Sequence, residues 1–182
     1  MRRAVPAACL MFAALSLSLA AGAARQEAQP ISDELALNAV DGRTVDFGEL
    51  RGEVVLLDFW ATWCKPCLEA TPHLERLHRR MEGKPFVLVG INADGDRERL
   101  EAYLAEEGLP WPQIWDGSYR VSDAFGVDSW PTYLVIDHEG RPVSKLTGWG
   151  SEHGRMLDRE VGRHVARAQR AVRRAEREAA GR

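Results

Sequence analysis

The residues most able to do chemistry are two cysteines three positions apart, Cys64 and Cys67, inside the stretch FWATWCKPC (Phe59–Cys67). Such a pair can be a structural staple, half of a metal site, or a reactive dithiol. A staple closing so short a loop contributes about 2 kcal/mol in the chain-entropy model, against about 4.7 for a 100-residue loop. A chain of 182 residues has enough core to fold without it. A zinc site needs about four ligands, and the five histidines fall at 73, 78, 138, 153 and 164. On a helix of roughly 3.6 residues per turn, His73 and His78 point about 140° apart. A copper site made of the two thiols and a distal histidine such as His153 stays open.

The dithiol reading uses more of the surrounding residues. Cys64 falls where a buried strand gives way to a helix. A thiolate there meets unpaired backbone N–H groups and the positive end of the helix dipole, and Lys65 adds a positive charge. Both favour the nucleophilic form. Pro66 suits a first helical turn, where its missing N–H needs no partner. Cys67 sits one turn in and is expected to be the more buried, so that Cys64 attacks and Cys67 resolves. Six residues before Cys64, Asp58 interrupts an apolar strand. It is either a buried carboxyl with a raised pKa, able to take the Cys67 proton as a general base, or a strand-end acid reaching solvent.

Charge is unevenly spread along a chain of net charge −3. Residues 25–154 hold 13 Lys/Arg and 23 Asp/Glu, whereas residues 155–182 hold 9 Arg and 4 acids. An acidic body argues against nucleic-acid binding. Residues 1–24 read as a signal peptide: a basic Met1-Arg2-Arg3, an apolar run, and the small residues Ala21-Gly22-Ala23-Ala24. The alternative is an uncleaved N-terminal anchor, since Ala4–Ala24 is long enough to span. Cleavage removes Cys9, leaving Cys64 and Cys67 as the thiols of an exported chain in a compartment where disulfides persist.

The elements that must position this pair follow from periodicity. Residues 25–34 read as a polar linker. Leu35–Leu50 alternates around Asp41-Gly42, a hairpin signal. The apolar runs Val54–Trp60 and Phe86–Asn92 suit doubly covered strands. Lys65–Met81 has helical spacing, as does Glu98–Glu107, which Gly108 and Pro110 end. A short helix over Tyr119–Phe125 precedes a strand at Thr132–Asp137, which pairs with Pro142–Gly148. From Glu152 a helix carries the stripe Leu157, Val161, Val165, Ala168 and Val172. The fold class is α/β, a mixed central sheet flanked by helices, with an N-terminal β-hairpin and a helical insertion.

With these residues in place, VVLLDFWATWCKPCLEATPHL resembles the active-site segment of thioredoxins. It is most similar to the exported thiol-disulfide oxidoreductases of the TlpA/ResA family. The likeness covers roughly residues 35–165 and includes WCxPC, the strand end GINAD, the element WPT and the hairpin DHEGRPVSKLTG. It implies a thioredoxin-like domain at 35–166, followed by a basic helical tail at 167–182. It implies that Cys64 is the nucleophile, Cys67 the resolving cysteine, Trp63 the ring beside the disulfide, and Pro131 a cis-proline that helps hold substrate backbone. A plain strand-start proline is the alternative at Pro131. Trp130 before it is bulky enough to narrow substrate choice.

Three positions depart from the pattern. Relatives often carry Glu where this chain has Ala70, with Glu69 displaced by one. Thioredoxins have a lysine near the buried acid, and the matching position here is Gly90. Many exported relatives have Asn where this chain has Asp58.

The implied function is a periplasmic protein-disulfide oxidoreductase acting on exported protein thiols or disulfides. It needs no cofactor beyond the Cys64–Cys67 disulfide and no metal. It is expected to reduce its substrates, such as apocytochrome c or copper-site thiols, and to be recharged by a membrane thiol carrier. The competing functions are a copper-binding or metallochaperone module and a thiol peroxidase. The latter wants Thr and Pro where this chain has Ala61 and Leu57. Weak membrane association is expected to run through the N-terminus or the arginine-rich tail.

Overall fold

A computed structural model describes residues 30–181; the signal or anchor expected at 1–24 and the first half of the expected linker lie outside them. The continuous apolar run Val54–Trp60 forms β3, buried along its whole length, at the centre of a five-stranded sheet. Its neighbours are β4 (Phe86–Asn92), parallel and in register from Val54↔Phe86 to Trp60↔Asn92, and β6 (Thr132–Ile136), antiparallel. A short β5 (Gln113–Trp115) adds parallel to β4, and β7 (Pro142–Thr147) antiparallel to β6, giving the order β5-β4-β3-β6-β7. The hairpin β1 (Ala36–Asn38) and β2 (Thr44–Asp46) forms its own small sheet.

A strand buried on both faces needs cover on both, and its alternate residues separate the two cores. Val54, Leu56 and their neighbours pack against Ala70, Leu74 and Leu77 of α1 (Lys65–Met81) and Leu157, Val161, Val165 and Ala168 of α4 (His153–Ala180). Val55, Leu57 and Phe59 face the hairpin residues Ala39, Val45 and Phe47. A third cluster joins Trp60 and Ala61 to Cys64, Cys67 and Leu100, the last from α2 (Arg97–Glu107). Gly108 ends α2 in the left-handed conformation that favours glycine. The short α3 (Arg120–Ala124) lies between β5 and β6. This is the expected thioredoxin-like architecture with its N-terminal hairpin.

Four expectations change in detail. The insertion is not purely helical, because it contains β5; three residues following Pro112 give too little pattern to read. The stripe on the last helix ends at Ala168, and Val172 is exposed. The helix continues without a break across 166/167, with Ala168 packed in the core. Residues 31–34 are docked rather than free: Ile31 N–H donates to Gly140 O, and the Arg51 guanidinium binds Ile31 O and the Asp33 carboxylate. No helix among the described residues is long and apolar enough to cross a membrane.

From residue 171 to 181 every side chain of this last segment is exposed, whereas Leu157 is fully buried. Urea denaturation should therefore separate them. Deleting 169–182 is expected to change unfolding free energy by no more than about 0.5 kcal/mol, while Leu157→Ala costs about 2–5 kcal/mol.

Candidate active site

Cys64 caps the N-terminus of α1. Its carbonyl accepts from the N–H groups of Cys67 (2.9 Å) and Leu68 (3.2 Å), and its Sγ accepts from Cys67 N–H at 3.3 Å. Cys64 and Cys67 are joined in a disulfide with Cα atoms 5.3 Å apart. No acid sits in the first turn to offset the dipole. In the reduced state a thiolate at position 64 keeps the Cys67 N–H as a donor, which stabilises it as a leaving group and nucleophile. The expected contrast in burial is small, since Cys64 is 5% and Cys67 3% exposed. What distinguishes them is position, at the cap and one turn inside.

The loop that carries Trp63 and Cys64 is fixed from beneath. Asp94, at the end of β4, accepts from Thr62 N–H (3.1 Å), Thr62 Oγ1–H (2.9 Å) and Asn92 Nδ2–H (2.7 Å). Beyond β5, the buried Asp116 accepts from the N–H groups of Val121 and Ser122 and from the Ser122 hydroxyl, which pins α3. Neither role was foreseen from the sequence; Asp94 closes the quoted GINAD, but its partner Thr62 is 32 positions away.

Pro131 opens β6, and the Trp130–Pro131 bond is cis. Trp130 packs against the cluster that holds both cysteines. Its ring meets Trp63 at 5.8 Å and Tyr119 at 5.7 Å between centroids. Trp63 and Tyr119 are 54% and 40% exposed, so a three-ring wall rises beside the disulfide. Tyr119 holds a left-handed backbone with φ of 59°, a conformation that costs a non-glycine residue about 1 kcal/mol. Read only as a helix start, Tyr119 gave no sign of this role.

Lys65 and Glu69 face solvent. Lys65 is 88% exposed, with its Nζ 4.0 Å from the Glu69 carboxylate. Its charge is partly balanced and well hydrated, so its effect on the disulfide is weaker than the sequence suggested. Ala70, where relatives carry Glu, is fully buried.

Asp58 points to the face covered by α1, between Leu56 and Trp60 on the same side of β3. It is 6% exposed, and burial pushes its pKa up to about 8. The strand pairing sets Gly90 directly beside it on β4 and Tyr133 directly beside it on β6. With no lysine at 90, burial goes uncompensated and the carboxyl holds its proton at neutral pH. Among the described residues there is no cluster of three or more His, Cys, Asp or Glu side chains that could hold a metal ion.

A mixed sheet of this order with a disulfide at the start of the first long helix defines a thioredoxin-fold protein of the thiol-disulfide type. The chain belongs to the Redoxin family, whose model matches residues 21–149. It is 30% identical over 116 residues to the thiol-disulfide oxidoreductase ResA of Halalkalibacterium halodurans, covering 64% of this chain and 66% of that one. It is 28% identical over 109 residues to ResA of Bacillus thuringiensis, covering 60% and 63%. The match thus spans less than two thirds of either relative. A crystal structure described as the thiol:disulfide interchange protein DsbE of Chlorobium tepidum superposes with a TM-score of 0.70 at 25% identity, covering 76% of this chain and 97% of that one.

The raised Asp58 pKa ties stability to pH. The unfolded chain loses this proton near 3.8 and the folded chain near 8. The contribution of neutral Asp58 is therefore full below the lower value and is lost as pH rises through the upper one. In urea denaturation of the oxidised proteins, Asp58→Asn should gain on wild type by up to about 1.4 kcal/mol per pH unit between about pH 4 and 8 and level off above.

Proposed function

We propose that this protein is a protein thiol-disulfide oxidoreductase that acts on cysteines of exported proteins, chiefly as a reductant. The observation that carries the reading is the Cys64–Cys67 disulfide at the N-terminus of α1, with a buried Asp58 on the strand beneath that helix. In the reduced protein the Cys64 thiolate attacks a substrate disulfide, forming a Cys64–substrate bond and releasing one substrate thiol. In the fraction of molecules where it is ionised, Asp58 then takes the Cys67 proton, and the Cys67 thiolate attacks Cys64 Sγ. That releases the second substrate thiol and leaves Cys64–Cys67 oxidised, so two electrons have passed to the substrate. An external dithiol, of the class a membrane thiol carrier provides, restores the reduced pair. Disulfides of apocytochrome c or of copper-site proteins in a periplasm are the substrates proposed.

Several features support the direction. When ionised, a buried carboxyl near Cys67 opposes further negative charge on the reduced sulfurs, which favours giving electrons up as pH rises toward about 8. Lys65, the one residue pulling the other way, is in solvent. Pro66 starts the helix, and Pro131, Trp130 and Trp63 form the support on which substrate backbone rests, with Tyr119 completing the ring wall. The exposed Arg170, Arg173, Arg174 and Arg177 of α4 supply weak attraction to an anionic membrane surface.

Reduction of insulin by the purified protein with a chemical dithiol tests the reading. Cys64→Ser is expected to lower the rate to the dithiol background, and Cys67→Ala to accumulate mixed disulfides on Cys64; a Cys64→Ser protein of undiminished activity would sink it. Lys65→Gly should move the midpoint potential by no more than about 30 mV, since an exposed and balanced charge contributes little. For the ring wall, peptide disulfides with Phe or Gly beside the cysteine are compared. Tyr119→Asn should cut the Phe-over-Gly ratio of kcat/KM about fivefold, in line with the loss of one aromatic contact.

A further inference from the structure

Gly90 lies beside Asp58, yet the space above it is filled. A Cβ built at position 90 would clash first with Gln113 Oε1, and would fall 2.6 Å from its Cδ and 2.8 Å from its Nε2. The Gln113 side chain thus reaches from β5 across Gly90, toward the strand that carries Asp58, and glycine at 90 is what lets it lie there. Gln113 is 2% exposed. The Trp60 indole N–H donates to its Oε1 at 2.9 Å. An indole N–H can only donate, so this bond fixes which end of the amide is oxygen and turns the NH2 group away from Trp60. That Nε2 is buried with no hydrogen-bond partner. A buried orphan donor is costly and calls for an acceptor that comes and goes.

We propose that Gln113 is a positioning residue for proton transfer at Asp58: its amide, seated over Gly90 and oriented by Trp60, donates from Nε2 to the Asp58 carboxylate when that group acts on Cys67. The inference rests on the oxidoreductase reading above. In the step concerned, ionised Asp58 takes the proton of the Cys67 thiol, becoming a neutral acid, while the Cys67 thiolate attacks Cys64 Sγ and expels the substrate thiolate. Nε2 steadies the minor ionised, proton-accepting form of the carboxyl before transfer. It does for Asp58 what a neighbouring cation would do, with a dipole instead of a charge.

Two buried orphan donors flank Asp58, Gln113 Nε2 across Gly90 and the Tyr133 hydroxyl on β6. Burial together with the Asp58 charge pushes that phenol upward, so it stays a neutral donor; what sets Gln113 apart is the Trp60 bond that orients its amide. From α1 the titratable group on this face is Cys67. From α4 the covering residues are Leu157, Val161 and Val165. The buried His164 of α4 is held below its usual range by burial and by Arg163 and Arg167, with Asp137 and Glu160 acting the other way, and Asp58 is not among its influences.

The test uses Gln113→Glu, which keeps an acceptor for Trp60 but removes the donor, and Gln113→Met, which is close in size and bonds to neither. The Asp58 carboxyl is titrated by carbon NMR in the oxidised full chain. Its midpoint is expected to rise by about one unit in Gln113→Met and further in Gln113→Glu. The second readout is the single-turnover rate at which Cys67 resolves a mixed disulfide on Cys64. It should fall about tenfold near neutral pH in Gln113→Met, and Gln113→Met should have no further effect in an Asp58→Asn background. A midpoint within about 0.3 unit of wild type in both variants overturns the proposal, as does an equal rate loss with and without Asp58. The carboxyl titration needs no redox turnover, so the proposal can fail while the oxidoreductase reading stands, and the reverse.

Discussion

A carboxyl in the middle of the central strand is the constraint around which this protein is arranged. Every other residue of β3 is apolar and buried, and an ionised carboxylate there without partners would be very costly. The chain settles the conflict by keeping Asp58 protonated in the resting state and by leaving a small part of it exposed. That arrangement makes the strand tolerable to fold and, on the proposed mechanism, keeps a titratable carboxyl under the helix that carries the thiols. Stability is given up for reactivity at one position, as is common where function and packing compete.

The disulfide depends on the same strand in a second way. β3 ends at Trp60, and within four residues the chain has turned and begun α1. So tight a junction holds its shape only if its polar groups are satisfied. Asp94 does this for Thr62, and Asp116 does it for the start of α3, where Tyr119 stands. Both acids follow the C-terminal ends of parallel strands. These are the ends at which an open α/β sheet gathers its functional groups. The ring wall and the cysteine loop are therefore carried by the rigid sheet and not by free loops.

Much of this was legible in the sequence, for a physical reason in each case. β3, β4 and α1 have the boundaries that periodicity gave, because a doubly covered strand must be apolar throughout and a half-buried helix must repeat. The cysteine pair was visible because its chemistry is local, whereas Pro131 and Trp130 stood out only through the family resemblance. Asp94, Gln113 and Tyr119 were not, since each acts through a partner that only sheet register brings near. Gln113 is the clearest case: its place above Gly90 depends on β5, whose three residues carry no period of their own. The apolar stripe read to Val172 failed differently. Helical spacing shows which face is apolar but not where the body that buries it stops.

Register also bears on the direction of electron flow. Lys65 and the ionised form of Asp58 act on the reduced sulfurs with opposite signs, and sequence proximity favours Lys65, which adjoins Cys64. Their surroundings reverse that ranking. Two unit charges at a given separation interact about four times more strongly at an effective dielectric of 20 than in water at 80. Lys65 sits in water with Glu69 at its side, whereas Asp58 is enclosed by α1 and two strands. A proton acceptor within the core therefore weighs more on the dithiol than a cation on the surface. On the proposed reductant reading, the release of electrons depends on Asp58, six positions before Cys64, more than on Lys65.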